Sequence, residues 1–538
     1  MNTTLKIIVL IISVSTFLYS QPFQNIMISN VGGPEEVSIC INPKNLNQLV
    51  AGANINKFYY SSNGGYNWTS GNLVSSTYGV WGDPTIIVDT AGNFYYFHLS
   101  NPPSGSWIDR IVCQKSTNAG MTWSNPGTFM GLNPPRDQDK QWACVDWTSG
   151  PRGNWIYVTW TQFNSYGSPD SSNILFSRST DGGLTWLDPA IRINQIGGDG
   201  IDGDNTVEGA VPAVGPNGEL YDAWAGPKVR NSVYGIFFDK STDGGNTWLA
   251  NDIYVCNQRG GWDYDIPGIQ RANGLPITVC DISNSPYRGT IYINYTDEAA
   301  PGDHDVMIVK STNGGVTWSA PLKVNYDQTG KEQFFTWMTV DQVTGYLYIV
   351  FYDRRNYNDS KTDVFAARST DGGTTFADFR ISETPFTPTS GVFFGDYINI
   401  TAHSGIVRPI WTRLEGGALS IYTAIMSFPV PVKTEGNKIP ESFSLSQNYP
   451  NPFNPSTKIQ FSIPPLEGVG GRMVRVFVYN ILGNEVATLV NEQLSPGTYE
   501  IEFNGTNYPS GVYYYQLTVS NEQLTIAFKE TKKMILIK

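Results

Sequence analysis

The sequence predicts an all-β protein: a seven-bladed β-propeller followed by a small β-sandwich of the immunoglobulin or fibronectin type III kind. Three observations carry this. One short pattern, Ser-x-Asn/Asp-x-Gly-x-Thr/Asn-Trp/Phe, occurs six times, starting at Ser61, Ser116, Ser179, Ser241, Ser311 and Ser369. Its steps of 55, 63, 62, 70 and 58 residues are the quasi-regular period of a repeated supersecondary unit stacked on its neighbours. Between the copies lie four short strand-like runs per unit, the content of a propeller blade.

Taken in order, residues 1–20 come first. Lys6, an apolar run from Ile7 to Leu18 and a small residue, Ser20, before Gln21 read as a secretory signal peptide. The run is well short of the roughly 20 residues that span a bilayer as a helix, and no later segment approaches that length, so the mature protein is expected to be exported with no membrane span.

Residues 21–428 hold the repeats. In the second unit an apolar run, DPTIIVD, is followed by NFYYFHL after a Gly-containing turn, then by RIVCQKST leading into the pattern, with a fourth strand after it. The pattern itself reads as a turn with a plug. The Asn or Asp at its third position bonds backbone two residues on, the Gly at its fifth supplies positive φ, and the closing aromatic, Trp68 through Trp318 and then Phe376, packs between units. After the last copy three strand-like runs remain, YINITAH, IVRPIWTR and LSIYTAIM, with no fourth. The N-terminal FQNIMISN resembles the strands that follow the pattern elsewhere, such as PLKVN and DFRISE, so it is expected to complete the last blade and close a ring of seven. A ring of six is the alternative if residues 397–428 fall outside it.

These repeats are similar to the Asp-boxes of sialidase-like and other BNR-repeat propellers, a resemblance covering roughly residues 22–428. It implies that each box joins the third and fourth strands of a blade, on the face opposite the ligand site. The chain departs from true sialidases in two respects. No Phe/Tyr-Arg-Ile-Pro motif precedes Ser61, and no motif assigns Tyr352 or Tyr397 the role of a glutamate-activated tyrosine. A shared fold does not by itself license an activity.

Residues 429–440, PVPVKTEGNKIP, read as an extended Pro-rich linker. From 441 to 538 the chain alternates like a small sandwich, through SFSLSQNYPNPFNPSTKIQFSIP, VRVFVYNILGNEVATL and YPSGVYYYQLTV to a basic end, TKKMILIK. With Asn448-Tyr449-Pro450-Asn451-Pro452-Phe453-Asn454-Pro455 it resembles the C-terminal sorting domain of the type IX secretion system. That resemblance implies the secretion machinery as a partner and a destination outside the cell or on its outer surface.

Composition narrows the partners. A formal net charge of −12, with Lys and Arg unclustered, argues against nucleic acid or an anionic membrane. Five cysteines are too few for a disulfide framework; Cys40 and Cys144 sit in apolar runs, and Cys256 with Cys280 is the one pairing worth testing. His98, His304 and His403 lack metal-ligand spacing, so no metal or other cofactor is expected; GGDGIDGDN from Gly197 is the only run that loosely suits calcium.

If the boxes lie on one face, the other carries the starts of first strands and the ends of second strands. Those positions hold Asp83, Glu208, Asp265, Glu332 and Asp396, then Asp297-Glu298, Asp353-Arg354-Arg355 and Arg413. Trp81, Trp142, Trp262, Phe335 and Tyr352 lie among them. Carboxylates with aromatic faces suit a sugar, and the expected partner is a glycan or polysaccharide. Asp83, Asp353 and Asp396 are the acid/base candidates; Arg354, Arg413, Glu208, Asp265, Trp142, Trp262 and Tyr352 are the candidates for holding substrate. A glycoside hydrolase or lyase, a non-catalytic glycan- or protein-binding propeller, and an adhesin-like surface protein all remain open.

Overall fold

The computed structural model describes residues 23–165, 167–201, 203, 205–229, 234–428, 430, 432–433, 440–465, 472–494, 496–505, 508–520 and 526–538. The expected signal peptide lies outside them. Among the described residues every regular element is a strand.

Between Asn25 and Ser427 these strands form seven antiparallel sheets. Their innermost strands are Ser38–Ile41, Gly82–Val88, Asp137–Val145, Glu208–Val214, Ile277–Cys280, Gln333–Val340 and Asn399–His403. Each packs against the innermost strand before and after it, and Asn399–His403 packs against Ser38–Ile41, so the set closes on itself. The inner strands are buried on both faces and read as apolar runs, as in Gly82–Val88. The outermost strands shrink to two residues in Ile191–Arg192 and Leu322–Lys323, which leaves little free edge for another chain to pair with.

The last sheet joins the two ends of the ring. Asn25–Ser29 pairs antiparallel with Ala418–Ala424, from Asn25 opposite Ala424 to Ser29 opposite Ile421. Asn25 also ties this sheet to the preceding one: its side chain donates to the Ile381 carbonyl (2.9 Å), and Asn25 and Glu383 exchange two backbone-to-side-chain bonds (2.9 Å each).

Each box joins the third and fourth strands of its sheet, but its hydrogen bonds differ in one respect from the expectation. The serine, not the Asn/Asp, captures the amide two residues beyond the third position: Gly65, Gly120, Gly183, Gly245, Gly315 and Gly373 donate to the box serine at 2.8–3.0 Å. The serine hydroxyl donates in turn to the Asn or Asp, whose Oδ1 accepts the amide four residues on, as from Thr185 to Asp181 (3.0 Å). Two consecutive left-handed residues bring these groups together, the fourth and fifth of the box, for example Gly182 (φ 72°) and Gly183 (φ 83°).

The boxes also bind neighbouring sheets together. The basic residue just before one box donates to the carbonyl of the fourth residue of the next: Lys115 to Gly182 (3.2 Å), Arg178 to Gly244 (2.5 Å), Lys240 to Gly314 (2.7 Å) and Lys310 to Gly372 (2.8 Å). Across the closure, Arg408 Nε donates to Gly64 (2.7 Å). The box tryptophans pack edge-on against aromatics of the preceding sheet: Trp123 on Phe58, Trp186 on Phe97, Trp248 on Phe176 and Trp318 on Phe238, at 5.0–6.0 Å between centroids. Each such pair contributes about 0.5–1.5 kcal/mol beyond the area it buries.

Two further expectations are corrected. The Cys256–Cys280 disulfide is not formed, because the two lie on different sheets; Cys256 Sγ contacts Tyr295 Oη (3.4 Å), and all five cysteines are free thiols. Within the expected linker, Val432–Lys433 is a strand paired with Gly497–Asn504, so the C-terminal region starts its hydrogen bonding earlier than its composition suggests. That region holds two four-stranded antiparallel sheets around one apolar core, to which Ile459, Phe461, Val476, Tyr515 and Met534 contribute. Asn448 is pinned within it by Tyr515 Oη (2.8 Å) and Thr457 Oγ1 (2.9 Å).

Lys240→Met and Lys310→Met keep the aliphatic stem and remove the donor to the next box. Each should lower the unfolding free energy by about 1–2 kcal/mol, measured by urea denaturation, whereas Lys361→Met, half-exposed and paired with exposed Asp359, should leave the midpoint unchanged.

Candidate active site at the mouth of the ring

First and third strands run parallel, so the inner strands start on the face opposite the boxes. At that mouth the backbone repeats one device. Glu36, Asp83, Lys140 and Phe335 all adopt left-handed conformations, with φ between 49° and 52°, and Gly209 and Gly395 occupy comparable positions at 81° and 89°. In four sheets the strand register shifts at this point, between Gly82 and Thr85, Asp139 and Trp142, Glu208 and Val211, and Phe334 and Trp337. A bulge of this kind re-aims the side chain at the start of a strand. For a residue with a Cβ the conformation costs about 1–2 kcal/mol, and three of the four non-glycine positions hold charged groups.

Those charged groups meet. Lys140 Nζ lies 2.5 Å from Asp396 Oδ2 and 3.5 Å from Glu36 Oε1. Arg271 reaches the same carboxylate, with Nε donating to Oδ1 (2.9 Å) and Nη2 to Oδ2. Asn54 donates to Glu35 (3.3 Å) and to Glu36, while its own carbonyl accepts the Asp83 amide (2.8 Å). Asn273 donates to the Asp396 backbone carbonyl (2.9 Å). Four carboxyl groups from three sheets thus share one small space with two cations.

The electrostatics sort these acids. Burial, with the Asp83 carboxylate next in weight, pushes Glu35 up to about 8 and Glu36 well above its ordinary range. Burial also acts on Asp396, but Lys140 and then Arg271 overcome it and hold that carboxyl well below the usual carboxylate range. Lys140, fully buried, stays charged because Asp396, Asp83 and Glu36 outweigh its desolvation. Glu35 retains its proton near neutrality and Asp396 does not, the separation that acid–base chemistry requires.

An aromatic layer floors the mouth. Two residues beyond three of the left-handed positions come Trp142, Trp337 and Tyr397; the Trp142 ring lies 4.1 Å from Trp337 and 5.0 Å from Tyr397. Beneath them, toward the box face, the ring surrounds a channel of about 250 Å³ lined by Cys40, Ile87, Cys144, Val279 and Thr401 among others. At the rim Trp81 and Trp107 meet edge to face at 5.7 Å, both more than a third exposed.

Of the residues singled out from sequence, Asp83, Asp396 and Trp142 are brought together here. Glu208 and Trp262 pair with each other, the indole N–H donating to the carboxylate (2.8 Å), and both are buried. Asp265 is exposed. The other candidates are occupied in holding the sixth and seventh sheets. Asp353 is buried against Arg355 (2.6 Å), which also reaches Asp378 (2.6 Å). Arg354 donates to Thr362 (3.1 Å) and lies over Phe334; Tyr352 donates to the Thr412 carbonyl (2.6 Å); Arg413 donates to the Thr384 and Pro385 carbonyls (2.9 and 2.8 Å). Asp353, Arg354, Tyr352 and Arg413 are therefore absent from the cluster, and Arg354 Nη2 is buried away from it with no hydrogen-bond partner among the described residues.

Sequence reasoning missed Glu35, Glu36, Lys140, Arg271 and Asn54. A signal existed for two of them: Glu36 and Lys140 stand two residues before Ser38 and Trp142, as Asp83 stands before Thr85, so aligning the starts of the units exposes them. Of the run proposed for calcium, Asp202 and Asp204 lie outside the described residues, and Asp199 accepts from Ile201 N and Thr206 Oγ1. Among the described residues no group of three His, Cys, Asp or Glu is arranged to hold a metal ion.

Residues 447–535 match the family model of the secretion system C-terminal sorting domain. No curated protein sequence matches the chain. Similar solved structures include the α-L-arabinofuranosidase Arb93A of Fusarium graminearum in complex with an iminosugar inhibitor, at 11% identity over 76% of this chain and 98% of that one, with a TM-score of 0.41. A PL25 ulvan lyase bound to a GlcA(1-4)Rha3S unit is also 11% identical, over 76% and 95%, at 0.44. Trypanosoma rangeli sialidase with the inhibitor DANA is 11% identical over 86% and 85%, at 0.39. The chain is an all-β protein of repeated antiparallel sheets that carries a secretion sorting domain at its C-terminal end.

Two outcomes are expected at this mouth. Asp396→Asn should destabilise the protein by about 3 kcal/mol or more, because Lys140 stays buried without its main partner; urea denaturation checks it. For pH, a raised acid favours folding fully below its unfolded value of 4.5 and loses that contribution as pH rises through about 8. Stability should accordingly decline from pH 5 to pH 9, and Glu35→Gln should flatten that decline.

Proposed function

We propose that this is an exported, carbohydrate-active propeller of seven blades, spanning residues 21–428 between a signal peptide (1–20) and a sorting domain (441–538), with its site at the mouth of the ring. The observation that carries this reading is the convergence of Glu35, Glu36, Asp83 and Asp396 on Lys140 and Arg271, with Glu35 held protonated near neutral pH. Glu35 is the proton donor to the departing glycosidic oxygen, and Asp83 takes the proton of the water that attacks the anomeric carbon. Asp396 is the counter-charge that keeps Lys140 and Arg271 in place. The exposed Trp81 and Trp107 rings give sugar faces a surface to stack on.

A second reading, a binding propeller without turnover, draws on the same tryptophan pair, which offers a glycan contact whether or not the acids act. The secreted full chain should release reducing ends from a polysaccharide, and Glu35→Gln should lower kcat by about 10²–10⁴-fold with the fold intact by circular dichroism. Saturable binding without cleavage would establish the second reading instead.

A further inference from the structure

We infer that the mouth takes a neutral glycan and rejects sugars bearing carboxylate or sulfate. The inference rests on the reading of the mouth as a glycan site and specifies its substrate class. An anionic sugar needs an uncommitted cation, and the cations of the cluster are committed. Lys140 and Arg271 converge on the two oxygens of Asp396, and Lys140 also faces Glu36. Further out on this face Arg259 is paired with Asp297 and Arg355 with Asp353 and Asp378, while Arg354 is buried over Phe334, bonding Thr362 through Nε with Nη2 unpaired among the described residues.

The remaining groups point the same way. Asp396 pairs with both Lys140 and Arg271, and Glu36 lies beside Lys140, so the cluster holds no cation without a carboxyl partner. A second carboxylate or sulfate would enter beside Asp83 with no counter-charge, an arrangement that like-charge repulsion penalises steeply in a buried setting. Hydroxyl groups meet no such penalty: protonated Glu35 donates to them, Asp83 accepts from them, and Trp81 and Trp107 cover the apolar faces of the ring. This is recognition by hydrogen bonding and stacking, without ion pairing.

The test titrates the full chain by calorimetry with xylo-, arabino- and cello-oligosaccharides against oligogalacturonate, a sulfated heparin fragment and sialyllactose. At least one neutral series should bind about tenfold or more tightly than every anionic probe. Asp396→Asn, which releases Lys140 and Arg271, should narrow that ratio; Asp297→Asn, which releases the exposed Arg259 on the same face, should narrow it likewise and serves if the first variant does not fold. Anionic probes binding as tightly as neutral ones would overturn the inference while leaving the glycan reading intact. Binding of none of the probes would overturn the glycan reading and the inference with it.

Discussion

Closure of the ring is the constraint from which the rest follows. Sheets this small expose both faces, and none has enough apolar surface to stand alone; each becomes stable when the next covers it. The contacts that make the sequence of sheets continuous are local and repeated. A lysine or arginine at the end of one third strand donates to the box of the next sheet, and the box tryptophan packs on an aromatic of the sheet before. At the seam, where the last sheet has no box, Arg408 supplies the bond to Gly64 and the N-terminal strand supplies the missing edge. Charge-assisted bonds of this kind hold sheet-to-sheet distance and rotation, which apolar packing alone leaves loosely defined.

Closure brings the starts of the inner strands to one mouth, and the cluster there strains both backbone and charge. Left-handed conformations at Glu36, Asp83 and Lys140 run against the preference of residues with a Cβ, and burying Asp396 with two cations carries a large desolvation cost. An apolar mouth would be simpler to fold. Strained backbone and coupled buried acids occurring together are the combination expected where side chains must be held in a chosen geometry and protonation state. The aromatic layer of Trp142, Trp337 and Tyr397 supports that state by separating the charged mouth from the channel beneath.

Much of this architecture was legible in the amino acids. The boxes occur at the ends of third strands, FQNIMISN pairs with the strand at 418–424, and Asp83 and Asp396 lie at the mouth. What misled was the adjacency of charge in FYDRRN. Asp353, Arg354 and Arg355 read as a site, yet Asp353 and Arg355 satisfy each other and Asp378, and Arg354 lies over Phe334 beside Thr362. What was passed over was PEEVS, because the first unit starts before its box pattern draws the eye, and Arg271, which lies in a loop with no strand periodicity.

The division has a physical basis. The sequence by itself determined the repeat, the strands, the box turns and the end that carries the sorting domain, because turn chemistry and period-two burial depend on residues within a few positions of one another. Only the tertiary structure decided which acids share a space. Lys140 and Asp396 are 256 positions apart and meet because seven sheets close a ring, and Glu35 keeps its proton because that closure excludes water from beside Asp83. Charge coupling depends on distance and burial in three dimensions, and neither is encoded by spacing along the chain.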